Sequence, residues 1–299
     1  MEFGKYFEPM LLNEIEKPFD SKEYLFELKF DGIRATIHVG KDTFIIYSRN
    51  GKDITNLYPE LKAIQKQVKE DMIFDGEIVI FDNKKSNFSK LQERNNLRNT
   101  LKIKRLSKEM PVCFIAFDCL YKNIDLTNKP LLERKKILNK IDDSDYFVKT
   151  KSVFNDGKLL FKKIKQLGLE GIVAKKIDSK YEINTRTREW IKIKNYKIEN
   201  FYIGGYYDNP KHSMVTLYLG EYKDNKFYYV GKVMMGKKRL LYNKIINENT
   251  EENTVFNDYK DNKIKYLKPK ITCKIAYQER TKNNHLRHPV FKTEIKKRI

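Results

Sequence analysis

Through the first two-thirds of the chain, apolar residues come in short runs of strand length, with few stretches at helical spacing. Residues 24–30, 34–39 and 43–48 predict three strands, separated by the turn signals Asp31-Gly32 and Gly40-Lys41. Residues 72–81 and 112–121 are longer apolar runs and predict central strands, with a polar stretch over 84–109 between them. Leu57, Leu61, Ile64 and Val68 recur at helical spacing and predict a short amphipathic helix. Residues 131–140 predict a second helix. A third spans 156–167, with Asp156 as N-cap and Gly168 as stop. Residues 172–175 and 190–193 add two more strands.

Near Glu199 the texture changes to Tyr-rich strands at 201–207, 214–221 and 226–233, a Lys-rich helix over 237–247 and a last strand at 271–278. Strands with one interposed helix in about a hundred residues fit a small OB-type barrel. The pattern divides the chain into domains 1–198 and 199–299, of α+β class, the first built of antiparallel sheets with helices.

Composition changes the picture in one respect. Lys and Arg total 61 against 40 acidic residues, a formal net charge of +21. Like charges on one chain repel, so the imbalance points to a polyanionic partner, with nucleic acid ahead of a merely solvated basic surface. Cys113 and Cys119 share one predicted strand and cannot bond each other. With Cys273, four scattered histidines and no C-x-x-C, no zinc site is indicated. The expectation is a cytoplasmic monomer, in the bacterial cytoplasm or nucleoid, with no membrane span or signal peptide.

The chemistry concentrates around Glu27-Leu28-Lys29-Phe30-Asp31-Gly32-Ile33-Arg34. A lysine at a strand end, buried in a cleft among cations, can attack phosphorus or form a Schiff base. Alone, the same string also reads as a lysine leading into a hairpin. Asp75 and Glu77 stand two apart on a strand, hence on one face, and amid apolar neighbours they need a cation. Glu170 follows a helix stop and precedes a strand that ends in Lys175. Lys192 and Lys194 share one face of their strand, with Ile191 and Ile193 on the other. Carboxylates for Mg²⁺, cations for a polyphosphate and a candidate nucleophile form the inventory of nucleotidyl transfer.

In order, KFDGIR at 29–34, SRNG at 48–51, DGEIVIFD at 75–82, FIAFDCLY at 114–121, EGIVAKK at 170–176 and WIKIK at 190–194 resemble the motifs of the covalent nucleotidyltransferases, a superfamily of ATP-dependent DNA ligases, RNA ligases and capping enzymes. NFSKLQ at 87–92, IGGYYD at 203–208 and LRHPVFK at 286–292 resemble bacterial end-joining DNA ligases, so the resemblance covers nearly the whole chain. It implies an adenylation domain followed by an OB-fold domain, ATP as source of an AMP carried covalently on Lys29, and Mg²⁺. It places Glu27 near the adenine amino group, Phe117 on the base, and Arg34 and Glu77 at the ribose. Arg49 falls at the nucleotide or nick phosphate, and Glu170 with Asp75 at the metal. Lys175 belongs to the nucleotide-binding set, while Lys192 and Lys194 fall at the α-phosphate. The implied substrate is nicked double-stranded DNA, in repair or end joining, with a bacterial Ku protein as partner.

The last motif departs from the family. After Arg287-His288-Pro289-Val290-Phe291 a second arginine is missing in register, with Lys296, Lys297 or Arg298 as substitutes. The alternatives are an RNA ligase or capping-type enzyme, or a non-catalytic basic nucleic-acid-binding protein.

Overall fold

The first two predicted strands do not pair with each other. Ser21–Leu28 and Ile33–Val39 belong to different sheets, so Asp31-Gly32 turns the chain from one sheet to the next instead of closing a hairpin. Gly32 fits because a Cβ there would lie 2.2 Å from the Ile78 carbonyl oxygen. In this computed structural model, residues 1–83 and 85–294 are described, and the chain forms two units, Met1–Asn195 and Tyr196–Ile299.

In the first unit, a five-stranded sheet runs in the order Leu11–Ile15, Arg186–Lys194, Gly171–Lys176, Ser21–Leu28, Val153–Asn155. A second sheet runs Phe147–Lys149, Cys113–Lys122, Met72–Val79, Ile33–Val39, Phe44–Ser48, with Ile124–Asp125 paired beside it. Pairing is antiparallel except where Leu11–Ile15 meets Arg186–Lys194 and Phe147–Lys149 meets Cys113–Lys122, both parallel. Leu25, Ile73, Leu120 and Trp190 come from both sheets and pack in one cluster between them. The outer face of the five-stranded sheet buries Phe26, Ile172, Ala174 and Ile193 against Ile164 of the helix Gly157–Leu167. That helix ends where expected, at Gly168 with φ 65. Asp156 stands at its N-cap position but makes no side-chain cap bond.

Two local readings change. Pro59–Gln67 is a 3₁₀ helix that buries Leu61 and Ile64. The polar stretch before Met110 holds two helices, Phe88–Asn95 and Thr100–Glu109, each opened by an asparagine (Asn87, Asn99) that accepts from the backbone N–H three residues on.

The second unit is the expected OB-type domain. Its sheet runs Lys226–Gly236, Met214–Lys223, Lys197–Asp208, Lys265–Leu267, Thr250–Glu251, while Thr272–Tyr277 pairs with both Lys197–Asp208 and Val290–Glu294. Among the described residues the hydrogen-bonded ladder does not close, so the barrel is open. The helix is shorter than predicted, Leu240–Ile246, and buries Leu241 and Ile245 in this unit's core. All three cysteines are free and buried, and no described helix is long and apolar enough to cross a membrane. The Lys296, Lys297 and Arg298 substitutes lie outside the described residues.

Candidate active site

Register on the five-stranded sheet builds one wall of the site. Glu27 lies opposite Val173, Val173 opposite Lys192, and Lys192 opposite Glu14. Directly paired residues share a face, and so do residues two apart on a strand. Lys29, Lys175, Trp190 and Lys194 therefore join Glu27 on the inner side. On the facing sheet Arg34 pairs with Glu77. Asp75 pairs with Asp118 but Gly76 with Ala116, so Phe117 is the extra residue of a β-bulge, a device that re-aims a side chain. The pocket so formed has apolar walls that include Leu28, Phe30, Phe117, Val173 and Trp190, and charged groups Glu27, Lys29, Arg34, Glu77 and Lys175.

Every charged group on the floor of this pocket has an opposite partner. Glu27 is 1% exposed, and its Oε1 meets Lys135 Nζ, Thr150 Oγ1 at 2.9 Å and Ser152 Oγ at 3.0 Å. Its Oε2 meets Lys175 Nζ at 2.9 Å. Burial opposes this carboxylate, but the two ammonium groups prevail and hold the carboxyl down at about 2. Burial lowers Lys175 to about 8, with the neighbouring Lys135 ammonium adding to the fall and Glu27 opposing it. The Lys175 ammonium also lies 4.2 Å from the ring centres of both Phe117 and Trp190.

Asp75, expected at the metal, is fully buried instead, with both oxygens occupied. Arg34 Nε and Nη2 donate to it at 3.1 and 2.7 Å, and Tyr181 Oη donates at 2.7 Å. It holds Arg34 in place, and at 0% exposure it is closed to a hydrated metal ion. Arg34 Nη1 donates to the Met10 carbonyl at 2.7 Å.

The mouth is more open. Lys29 Nζ lies 2.7 Å from Glu170 Oε1, with the two side chains 23% and 12% exposed. Lys192 and Lys194 Nζ share Glu14 Oε2 at 3.2 and 3.3 Å. Burial lowers Lys192, and nearby Lys194 and Lys29 lower it further, so three ammonium groups converge on one region. Glu77 is pushed up to about 8 by burial, helped by Glu170 and opposed by Lys29. Among the described residues no three His, Cys, Asp or Glu form a metal cluster. Glu170, beside Lys29 at the mouth, and Glu77, on the pocket wall, offer carboxylate oxygens of the kind that suit Mg²⁺.

Arg49 is the expected residue that the structure keeps apart. Its amide donates to the Arg34 carbonyl at 3.1 Å, but its side chain is exposed and does not line the pocket. Conversely, Glu14, Lys135, Thr150, Ser152 and Tyr181 were not anticipated. Asp118, paired with Arg134 at 2.8 Å with neither exposed, was signalled by a carboxylate inside the apolar run 112–121.

The sequence pattern of the ATP dependent DNA ligase domain matches residues 9–194, and that of the ATP dependent DNA ligase C terminal region matches residues 211–297. The SPbeta prophage-derived DNA ligase-like protein LigB of Bacillus subtilis (strain 168) is 29% identical, over 95% of this chain and 97% of its own length. The multifunctional non-homologous end joining protein LigD of Mycolicibacterium smegmatis is 27% identical over 96% of this chain, which spans 38% of that protein. The crystal structure of the ligase domain from M. tuberculosis LigD is 25% identical, with TM-score 0.57, over 97% of this chain and 96% of that one.

Proposed function

The chain belongs to the ATP-dependent DNA ligase family, and on that premise we propose that it seals nicks in duplex DNA through an AMP held covalently on Lys29. The observation that carries this reading is the Lys29–Glu170 pair at 2.7 Å, at the mouth of an apolar pocket with Lys192 and Lys194 on the same sheet face. An adenine ring has a slot beside Phe117, with Glu27 at its inner end and Lys175 beneath. Arg34 and Glu77 border the ribose. The α-phosphate then falls between Lys29 and the Lys192–Lys194 pair, whose charge offsets the charge that develops on its oxygens.

Lys29 Nζ attacks the α-phosphorus, the bond to the β-phosphate oxygen breaks, and pyrophosphate leaves. AMP then passes to the 5′-phosphate of a nick, and attack by the 3′-hydroxyl expels it and closes the strand. When bound by Glu170 and Glu77, Mg²⁺ supplies charge neutralisation at the phosphate oxygens. In this reading Arg49, exposed and outside the pocket, meets the nick phosphate. The net charge of +21 supports a nucleic-acid acceptor, and similarity to end-joining ligases supports a role in break repair, with a Ku-type end-binding protein as partner.

The test is incubation with Mg²⁺ and ATP or GTP labelled at the α-phosphate, after stripping any resident AMP with pyrophosphate. Acid-labile label from ATP, absent in Lys29→Ala, is the expected result. Label from GTP would move the reading to capping chemistry, and no label at all would leave a nucleic-acid-binding role. Nicked DNA and nicked RNA as acceptors then separate the two ligase classes, with sealing of DNA expected.

A further inference from the structure

The two oxygens of Glu27 are used unequally. Oε1 receives three donors, Lys135 Nζ, Thr150 Oγ1 and Ser152 Oγ, and none of these residues lines the pocket. Oε2 receives Lys175 Nζ, and Lys175 does line it. A carboxylate oxygen accepts two or more hydrogen bonds, so Oε1 is saturated from behind while Oε2 keeps capacity on the pocket side.

The anchoring residues are themselves rigidly held. Lys135 Nζ donates to Thr150 Oγ1 at 2.9 Å, which directs the threonine proton onto Glu27. The Thr150 amide donates to the Ala116 carbonyl at 2.9 Å, fixing it beside the bulge that sets Phe117. Lys135 is buried on the helix Leu131–Leu138. A lysine on a short helix, costly to bury, here serves a carboxylate at the floor of the pocket.

We propose that Lys135 and Thr150 are positioning residues for base selection: they pin Glu27 from behind, so that its Oε2 offers a fixed acceptor to the 6-amino group of a purine and refuses a 6-oxo purine. This rests on the adenine-binding reading above. A 6-amino group donates to Oε2. A 6-oxo group would set two acceptors against each other in a dry site, a mismatch that discriminates strongly. Without Lys135, Glu27 can turn, and the acceptor is no longer held where the amine arrives.

The experiment measures transfer of label to Lys29 as a function of nucleotide concentration for the wild type, Lys135→Met and Thr150→Val, using ATP and the triphosphate of purine riboside, which lacks the amine. The expected result is a KM for ATP raised roughly tenfold in Lys135→Met and several-fold in Thr150→Val, with the maximal rate within about twofold. Purine riboside triphosphate should show the same KM in all three proteins. A KM raised equally for both nucleotides would reveal mere loss of packing and overturn the proposal. So would an unchanged KM for ATP in both variants. If Lys135→Met does not fold, Thr150→Val alone decides, since it keeps the side-chain shape and Lys135. Wild type that takes no label from ATP would overturn the adenine-binding reading, and this inference with it. Wild type that labels normally isolates any failure to the roles of Lys135 and Thr150.

Discussion

At the floor of the pocket Glu27 divides its oxygens among Lys135, Thr150, Ser152 and Lys175, and its carboxyl is held down at about 2. At the mouth Glu77, opposite Arg34 on its own sheet, is pushed up to about 8. The floor continues into two more matched pairs, Asp75 with Arg34 and Asp118 with Arg134, each held by two parallel N–H···O bonds. Charge there is spent on holding shape. The mouth crowds like charges: Glu77 lies near Glu170, and three ammonium groups converge with two of them sharing one oxygen of Glu14, an arrangement that costs stability until phosphates and a cation join it. Rigidly paired charge suits recognition of a neutral base. Crowded like charge suits a polyphosphate whose charge shifts during reaction.

The largest effect belongs to the floor. Arg134 Nε and Nη2 grip both oxygens of Asp118, and neither residue is exposed. Arg134→Met leaves a buried carboxylate with only the Cys119 N–H and no counter-ion, and should cost about 3–5 kcal/mol in urea unfolding. Adding Asp118→Asn should recover a good part of that. If the double variant is no better than the single one, the loss comes from packing and from the Lys129 and Ser179 carbonyls that Arg134 Nη1 also serves, and the matched-charge account of the floor fails.

The mouth should answer with the opposite sign. Glu77 has a folded carboxyl value of about 8, raised from its ordinary 4.5, so the fold favours the protonated form. Its contribution is therefore intact below the ordinary value and is lost as pH rises from there through about 8. Glu77→Gln removes that loss and should stabilise the protein by on the order of 2 kcal/mol at pH 8, and far less at pH 5. Lys29 labelling should fall at the same time, since the proposed ribose contact and metal ligand go with the carboxylate. A thermal melt showing equal change at both pH values would refute the crowding at the mouth.

What could be read from the sequence follows the same division. Lys29, Glu77, Glu170, Lys192 and Lys194 stand in short strings whose order and spacing carry the chemistry, and strand alternation alone put both lysines of 190–194 on one face. The floor was far less legible. Lys135 sits in LLERKKIL, where nothing separates a buried lysine from a solvated one, and Thr150 and Ser152 lie in a polar segment without a motif. Asp75 was noticed as a carboxylate among apolar residues, but its partner Tyr181 is more than a hundred positions away, so a metal was assigned the role that Arg34 and Tyr181 fill. Asp31-Gly32 reads as a turn and is one, but which sheets it joins is not written locally. Turn chemistry is local, whereas the sheet that the next strand joins depends on register across distant strands.

The smallest predicted effect is the one that tests whether the mouth is held in reserve. Glu14 lies opposite Lys192 on the edge strand and spans the two lysines with one oxygen, at 3.2 and 3.3 Å, while its side chain is 36% exposed. Pairs so open to water contribute little, so Glu14→Gln should shift stability by under about 1 kcal/mol. An incoming phosphate must displace Glu14 from both lysines, so it behaves as an internal competitor. Removing its charge should lower the KM for ATP by about twofold and tighten inhibition by pyrophosphate to a similar degree, both effects shrinking as salt is raised. A raised KM would mean that Glu14 orients the lysines instead of competing for them. In that case the mouth, like the floor, is a preset structure, and the contrast between the two would rest on Glu77 and Glu170 alone.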